Sequence, residues 1–250
     1  MAKIGILGIS GRMGRLLAEE VTAAGATLAG GTARRGEQWP SDPAALARVS
    51  DALIDFTTAS AAPAHTHAAA AARKPLVLGT SGLDRAQEAA LHEAARHIPI
   101  VYAANFAPGV NLLLALAERM AAALPGEAYD AEIVEIHHRQ KIDAPSGTAL
   151  ALGRAVAAGR GTTLEEAGIE SGRDGHTGAR KPGAIGFAAL RAGQVVGEHT
   201  LLFASGEEHI ALTHRSFDRR VYATGAVRAA LWALSQPPGL YGMKHVLGMG

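Results

Sequence analysis

The chain of 250 residues contains no cysteine, which excludes a disulfide framework, a thiolate nucleophile and any metal site built on cysteine. It also lacks an excess of charge of one sign, because 24 Lys and Arg face 23 Asp and Glu. Nucleic-acid binders normally carry a basic excess, so we expect no nucleic-acid partner. No run approaches the roughly 20 apolar residues of a membrane-spanning helix. We therefore expect no membrane partner either.

The chain is long enough to bury one large core or two smaller ones, since 48% of its residues are hydrophobic. The N-terminal sequence MAKIGILG enters an apolar, strand-like segment without the charged and apolar regions of a secretory signal peptide. These features predict a cytoplasmic protein.

The first hundred residues alternate short apolar runs with helical patterns. Strands are predicted at 3–7, 27–31, 53–56, 75–78 and 98–103, and helices at 12–24, 61–72 and 85–96. Strands that alternate with helices form right-handed βαβ units and therefore a parallel, doubly wound sheet. The predicted fold class is α/β, beginning with a nucleotide-binding type of domain.

The pattern changes after residue 105. Helices are predicted at 110–124, after Ser146 and at about 219–234, and a strand at 131–137. The segments 185–190, 194–203 and 209–214 mix β-branched and aromatic residues with polar ones, which predicts antiparallel strands of a meander. This pattern indicates a second, α+β domain, and the last helix can fold back on the first domain.

A glycine motif, GISGRMG, lies where the first predicted strand meets the first helix. Its glycines are Gly8, Gly11 and Gly14. Glycine at this bend lets the backbone approach a pyrophosphate, whose charge interacts favourably with the helix N-terminus. The spacing is GxxGxxG rather than GxGxxG, so a tight turn that binds nothing is the alternative. The βαβ context favours a dinucleotide.

Two arginines, Arg34 and Arg35, follow the second predicted strand, where NAD-binding proteins place an acidic residue. Guanidinium groups form paired hydrogen bonds with phosphate, which suits the 2′-phosphate of NADPH. A solvated basic loop is the alternative. The arginines predict NADPH as the preferred cofactor, with NADH possible.

Three further loops follow predicted strands, at the sheet edge where ligands bind in open α/β sheets. They contain Phe56 and Thr57, then Gly79, Thr80 and Ser81, and then Asn105 and Phe106. Small hydroxyl and glycine residues suit a nicotinamide ribose and its carboxamide, although each loop could equally be a plain helix cap.

The stretch EIHHRQKIDAPSGTA, from Glu135 to Ala149, allows three interpretations. A metal site is disfavoured because adjacent strand residues such as His137 and His138 point to opposite faces, and no HExxH motif is present. A serine nucleophile is disfavoured because Ser146 lies in PSGT rather than in a G-x-S-x-G turn. We predict instead that Ser146 caps a helix.

The third interpretation is an acid beside an anion-binding turn. The helix start at Ser146-Gly147-Thr148 offers backbone N–H groups and two hydroxyls to an anion. Lys141 adds a positive charge, and His137 or His138 can supply a proton. This group predicts a small carboxylate substrate that receives a hydride and a proton, with a polar loop and a structural histidine as the alternative.

The same stretch resembles the signature HHxxKxDAPSGT of the 4-hydroxy-tetrahydrodipicolinate reductase (dihydrodipicolinate reductase) family of the diaminopimelate–lysine pathway. The resemblance covers nearly the whole chain, through GISGRMG, IDFT, GTSG, AANF, GHTGARKPGAIGFAALRAGQVVGEHT and GLYGMKHVL. It implies NAD(P)H-dependent reduction of 4-hydroxy-tetrahydrodipicolinate to tetrahydrodipicolinate, with loss of water.

The resemblance also implies an architecture. A Rossmann-type domain would comprise residues 1–107 and 219–250, and a substrate-binding and oligomerisation domain with an open mixed sheet would comprise residues 108–218. The assembly would be a homotetramer.

Individual roles follow from the same resemblance. His137 falls on the proposed general acid, and Lys141 on a residue assigned to substrate binding or proton donation. His138, Ser146, Gly147 and Thr148 fall on positions that hold the substrate carboxylates. The cofactor-contacting positions are Gly8, Arg12, Met13, Gly79, Thr80, Ala104, Asn105 and Phe106.

The chain departs from the family pattern in two places. Family members that use both cofactors often carry an acid next to an arginine where this chain has Arg34-Arg35, which favours NADPH. The segment 36–50 is also shortened. Two rivals remain: a dehydrogenase acting on aspartate-like substrates, and an NADP-sensing protein, which would have no need of His137 and Lys141.

Overall fold

A computed structural model describes residues 1–33 and 42–249 of the chain. The chain divides into two compact units, one formed by Met1–Pro108 with Arg220–Gly250 and the other by Gly109–Arg219. The first unit contains a parallel sheet and the second a mixed sheet, so the predicted fold class is confirmed.

The elements of both units are as follows. The strands are β1 (Lys3–Leu7), β2 (Thr27–Thr32), β3 (Ala52–Asp55), β4 (Leu76–Leu78), β5 (Pro99–Tyr102), β6 (Asp130–His137), β7 (Ile169–Ser171), β8 (Ile185–Arg191), β9 (Gly197–Ala204), β10 (His209–Ser216) and β11 (Gly239–Tyr241). The helices are α1 (Arg12–Ala23), α2 (Pro43–Val49), α3 (Ala62–Ala71), α4 (Arg85–Ala94), α5 (Pro108–Ala123), α6 (Gly147–Gly159), α7 (Leu164–Ala167), α8 (Arg220–Ala233) and α9 (Met243–Val246).

The sheet of the first unit has six parallel strands in the order β11-β5-β4-β3-β1-β2. Strands β3 and β4 are buried along their whole length, as expected of parallel strands covered on both faces. Successive side chains enter different cores: Ile54 packs with α1 and α8, whereas Leu53 packs with α2, α3 and α4. This alternation produces the doubly wound arrangement.

Helix α8 returns the chain to the first unit after the second unit is complete. Its buried side is almost entirely alanine, which allows close packing, and a Cβ at Gly225 would lie only 1.8 Å from the carbonyl oxygen of Phe106. At its start, Arg220 bridges to Glu19 and Glu20 of α1, at 2.6 and 2.8 Å. Strand β11, which has no clear signal in the sequence, then extends the parallel sheet beside β5.

The sheet of the second unit has the order β10-β9-β6-β8-β7. The predicted meander is wrong for β8, which runs parallel to β6, while β9 lies antiparallel to both β6 and β10. The reason is topological: α6 and α7 lie between β6 and β8, so the chain crosses over and enters β8 in the same direction. Only the β9–β10 hairpin matches the prediction.

The two faces of this mixed sheet differ in their surroundings. Strand β6 alternates buried and half-buried residues, and its buried side chains pack with α5 and α6 around Ile133, Phe187 and Phe203. We call this the inner face, and it carries Glu135 and His137. In the described parts of the chain, no helix has the length and apolar character needed to cross a bilayer.

Candidate active site

The glycine motif forms a tight turn between β1 and α1. Gly8 has φ of +79°, a left-handed conformation that favours glycine, and its carbonyl oxygen accepts a 3.0 Å hydrogen bond from Gly11 N–H. A Cβ at Gly14 would lie 2.3 Å from the same oxygen. Any side chain at position 14 would therefore push α1 away from the turn.

The N-terminus of α1 is left open by this turn. Its N-cap residue, Gly11, supplies no side-chain hydrogen bond, and its first turn contains no acidic residue. Arg12, which is exposed, and Met13, which is half-buried, occupy the first helical positions. The free N–H groups and the helix dipole together suit a phosphate group.

The loop after β3 is fixed by a buried carboxylate. Asp55 Oδ1 accepts hydrogen bonds from Thr57 N–H and Thr57 Oγ1–H, at 2.8 and 2.6 Å, and Asp55 Oδ2 lies 2.7 Å from His65 Nδ1. The methyl group of Thr57 consequently lies close to Gly8, and a Cβ on Gly8 would be only 2.6 Å from it. The loop after β3 and the glycine turn thus form one surface.

The loop after β4 lies against the same surface. Phe56 covers Gly79, since a Cβ on that glycine would be 2.4 Å from the Phe56 ring. The Phe56 ring also contacts Phe106, with ring centroids 5.3 Å apart and an interplanar angle of 56°. Thr80 is buried, and its Oγ1 has no hydrogen-bond partner among the described residues. A buried hydroxyl of this kind normally has a partner, which a bound molecule can provide.

Three of the remaining predicted cofactor residues belong to the loops after β4 and β5. Ser81 and Ala104 are exposed, and Asn105 uses its Oδ1 to accept a 2.8 Å hydrogen bond from Ala107 N–H. Arg34 and Arg35 lie outside the described residues. The structure therefore brings together the glycine motif and the loops after β3, β4 and β5.

In the second unit, Glu135 and His137 lie two positions apart on β6 and share the inner face of the sheet. Both are buried, with 1% and 9% of their surface exposed. His137 Nδ1 contacts Glu135 Oε2, and Arg191 NH1 and NH2 each lie 2.9 Å from a different oxygen of the same carboxylate. Burial alone would raise the pKa of Glu135, but the hydrogen bonds from Arg191 and His137 hold it below its ordinary value.

Ser146 begins α6 beside this carboxylate, and the predicted cap is confirmed. Its Oγ accepts a hydrogen bond from Ala149 N–H at 3.2 Å, and its own N–H donates to Glu135 Oε1 at 3.1 Å. Ser146 Oγ also lies 3.2 Å from Nε2 of His199, a buried residue of β9. Burial, followed by the nearby His137, lowers the pKa of His199 to about 4.

The other predicted substrate residues surround this helix start. A Cβ at Gly147 would meet no atom within 4 Å, so the space beside this residue of α6 is open. Thr148 is half-buried, and His138 Nδ1 is buried without a hydrogen-bond partner in the described residues. Lys141 Nζ lies 2.9 Å from both carboxylate oxygens of Asp143, which holds the pKa of Asp143 below its ordinary value.

Sequence reasoning missed three residues of this cluster. Glu135 opens the quoted stretch, and the two-residue period of a strand would have placed it on the same face as His137. Arg191 and His199 gave no such signal, because their positions depend on which strands flank β6. Glu135 pairs with His199 across β9, and His137 pairs with Arg191 across β8.

These features define a class of protein: a Rossmann-type oxidoreductase in which a second, mixed-sheet unit carries a buried Glu135–His137 pair beside the start of a helix. Comparison with known families is more specific. The family models described as "Dihydrodipicolinate reductase, N-terminus" and "Dihydrodipicolinate reductase, C-terminus" match residues 2–106 and 109–247. The chain belongs to the dihydrodipicolinate reductase family.

Individual relatives match along the whole chain. A 4-hydroxy-tetrahydrodipicolinate reductase from Granulibacter bethesdensis is 64% identical, covering 99% of this chain and 97% of the relative. The enzyme of the same name from Acidiphilium cryptum is 61% identical, with coverage of 99% and 98%. Among solved structures, a dipicolinate-bound dihydrodipicolinate reductase from Paenisporosarcina sp. TG-14 superposes with a TM-score of 0.81 at 23% identity, covering 98% of this chain and 99% of that one. This last likeness concerns the fold.

Proposed function

We propose that the chain catalyses the NAD(P)H-dependent reduction of 4-hydroxy-tetrahydrodipicolinate to tetrahydrodipicolinate, with loss of water, in lysine and diaminopimelate biosynthesis. The observation that carries this proposal is the buried Glu135–His137–Ser146 cluster beside the open start of α6. It supplies an acid and an anion site in a chain whose relatives bear the name of this enzyme.

The cofactor is proposed to bind along the glycine turn and the loops after β3, β4 and β5. Gly8, Gly11, Arg12, Met13 and Gly14 would hold the pyrophosphate, because the N-terminus of α1 is uncapped and close approach is possible there. Phe56, Thr57, Gly79, Thr80, Ser81, Ala104, Asn105 and Phe106 would line the nicotinamide half. When bound, the reduced nicotinamide supplies the hydride. The Thr80 hydroxyl, which has no hydrogen-bond partner in the described part of the chain, supports a polar ligand at this position.

The substrate is proposed to be a small dicarboxylate, and the hydroxyl of Ser146 supports this class. Because His199 is neutral over most of the pH range, one of its ring nitrogens carries a proton. Placing that proton on Nε2 avoids a buried, unpaired N–H at Nδ1 and makes the ring a donor to Ser146 Oγ. Ser146 Oγ then accepts two hydrogen bonds, from His199 and Ala149, and its own O–H is left to donate to an anion.

Further contacts to the carboxylates would come from Gly147, Thr148, His138 and Lys141. Lys141 would leave its ion pair with Asp143, an exposed residue, and would bind a substrate carboxylate instead. The relative from Paenisporosarcina binds dipicolinate, a molecule of the same dicarboxylate class. Metal participation is not part of the proposal.

His137 is the proposed general acid. Its Nδ1 faces Glu135, and a Cβ at Gly197 would lie 3.1 Å from its Nε2, so the missing side chain leaves room at that nitrogen. A proton delivered from Nε2 to the substrate would complete the reduction, with Lys141 as the alternative donor.

The central test is NADPH oxidation with freshly generated 4-hydroxy-tetrahydrodipicolinate. We expect His137→Gln and Lys141→Ala each to lower kcat by about 10²-fold or more, because general acid catalysis contributes on that order. NADPH affinity should change little in either variant. His92→Gln, an exposed histidine of α4, is the matched control and should keep wild-type turnover. Unchanged kcat in both test variants would contradict the mechanism.

A preference for NADPH over NADH is proposed from Arg34 and Arg35. We expect Arg34→Glu to raise KM for NADPH at least about tenfold more than KM for NADH, because a charge-assisted hydrogen bond to the 2′-phosphate is lost. Arg96→Glu, at an exposed arginine of the first unit, is the control. Equal changes in the two KM values would mean that Arg34 does not contact the 2′-phosphate.

A homotetramer is proposed from the family resemblance and from the second face of the mixed sheet. This outer face, opposite the face that α5 and α6 cover, carries Val134, Ile136, Ala188, Leu190 and Leu202. Leu190, near the end of β8, is a large apolar residue that is nevertheless 49% exposed. Further copies of the chain are the proposed partners for this face. The cytoplasmic location expected from the sequence stays a prediction.

A further inference from the structure

We infer that Glu135 is a positioning residue of the reaction, which fixes the proton on one nitrogen of His137 and ties the acid to the anion-binding start of α6. The inference rests on the proposed function, because it assigns Glu135 a role only if His137 transfers a proton. Glu135 contacts the Nδ1 side of His137 and acts through this histidine.

The first argument is the complete use of the Glu135 carboxylate. Oε2 contacts His137 Nδ1 and Arg191 NH1, and Oε1 contacts Arg191 NH2 and Ser146 N–H. All four neighbours are donors, so the ionised carboxylate satisfies each of them. A buried carboxylate with this many partners is held in one orientation, and it holds its partners in turn.

The second argument concerns the tautomer of His137. An ionised carboxylate can only accept hydrogen bonds, so the contact with Glu135 places a proton on Nδ1. The other nitrogen, Nε2, is therefore the one that gains and loses the transferable proton. The ring is also fixed by an edge-to-face contact with His199, with centroids 5.1 Å apart and an interplanar angle of 73°.

The third argument is that the same carboxylate positions the substrate site. Through Ser146 N–H it holds the residue at the start of α6, and through Arg191 it reaches the loop that contains Lys141, because Arg191 NH2 also donates to the Asp143 carbonyl oxygen at 2.6 Å. A displacement of Glu135 would therefore change the distance between the acid and the anion site. That distance sets whether the proton reaches the substrate.

The test is a double-mutant cycle on kcat with Glu135→Gln and His137→Gln. Glutamine keeps the shape but presents N–H to one pair of donors, so it cannot satisfy all four. We expect Glu135→Gln to lower kcat about tenfold to a hundredfold in the wild-type background, and less than about twofold in the His137→Gln background. Glu207→Gln, an exposed residue of the β9–β10 turn, is the matched control.

The pH profile of kcat separates positioning from a structural defect. The charged and titratable groups around His137 are Glu135 on β6, Arg191 on β8 and His199 on β9, and Lys141 and His214 act electrostatically on His199. Glu135→Gln removes the negative charge beside the His137 ring, so we expect the alkaline fall of kcat to move to lower pH in this variant. A structural defect would lower kcat at every pH without changing the pH at which the alkaline fall occurs.

Glu135→Asp provides the second variant if Glu135→Gln does not fold. Aspartate keeps the charge for Arg191 but is one methylene shorter, so its contact with His137 is lost and a similar fall in kcat is expected. A wild-type kcat in either folded variant, or effects of Glu135→Gln and His137→Gln that multiply, would overturn the inference. An active His137→Gln enzyme would instead overturn the acid assignment itself, on which the inference depends.

Discussion

His199 and Glu135 lie opposite each other on β9 and β6, and burial leads to opposite charge states for the two side chains. Burial lowers the pKa of His199 to about 4, so this ring is neutral. Glu135 stays ionised because Arg191 and His137 compensate for its desolvation. A buried charge without such partners would cost several kcal/mol, so the bidentate arginine is what permits a carboxylate here.

The lowered pKa of His199 predicts how stability depends on pH. The pKa in the folded state lies below the unfolded value of about 6.5, so the folded state binds fewer protons. The stabilising contribution is therefore complete above about pH 6.5 and is lost as the pH falls towards 4. A shift of this size corresponds to about 3 kcal/mol.

His199→Gln tests this dependence, because glutamine can keep a donor near Ser146 but does not titrate. We expect the wild-type protein to lose about 3 kcal/mol more unfolding free energy than the variant between about pH 7 and about pH 4. Urea denaturation at the two pH values measures the difference. Parallel losses in the two proteins would show that His199 does not titrate in this window.

At the scale of elements, local patterns predict most of the first unit. Strands β1, β3 and β4 are short apolar runs because both faces of a parallel sheet are covered, and α4, which follows β4, has its own capping box. The three-residue strands β7 and β11 escaped prediction because, unlike the equally short β4, they are not continuous apolar runs.

Strand partners were harder to predict than strands. The residue composition of β8 predicted an antiparallel strand. The crossover through α6 instead makes β8 parallel to β6, and β9 pairs with the opposite edge of β6. Partner choice depends on contacts distant in sequence, which no local window contains. Since Arg191 and His199 reach the site only through these pairings, the sequence could predict His137 and Ser146 but not these two neighbours.

At the scale of the molecule, the outer face of the mixed sheet is the proposed contact surface between copies of the chain. We expect Leu190→Glu to shift the protein from a tetramer towards smaller species, because the new carboxylate would be desolvated on association. Sedimentation analysis at several protein concentrations measures the shift. Leu234→Glu, at a 40% exposed leucine of the first unit, is the control and should leave the mass unchanged. A monomer in the wild-type protein would contradict the proposed assembly.

The return of the chain through α8 and β11 has a consequence for synthesis. Domains generally fold as units while the chain leaves the ribosome. The first unit is the first to be synthesised and the last to be completed, because its core around Ile54 includes side chains of α8. The second unit is made in one uninterrupted stretch, residues 109–219. The nascent first unit must therefore keep an apolar surface uncovered throughout the translation of the second, and this is the period in which a chaperone would have most to bind.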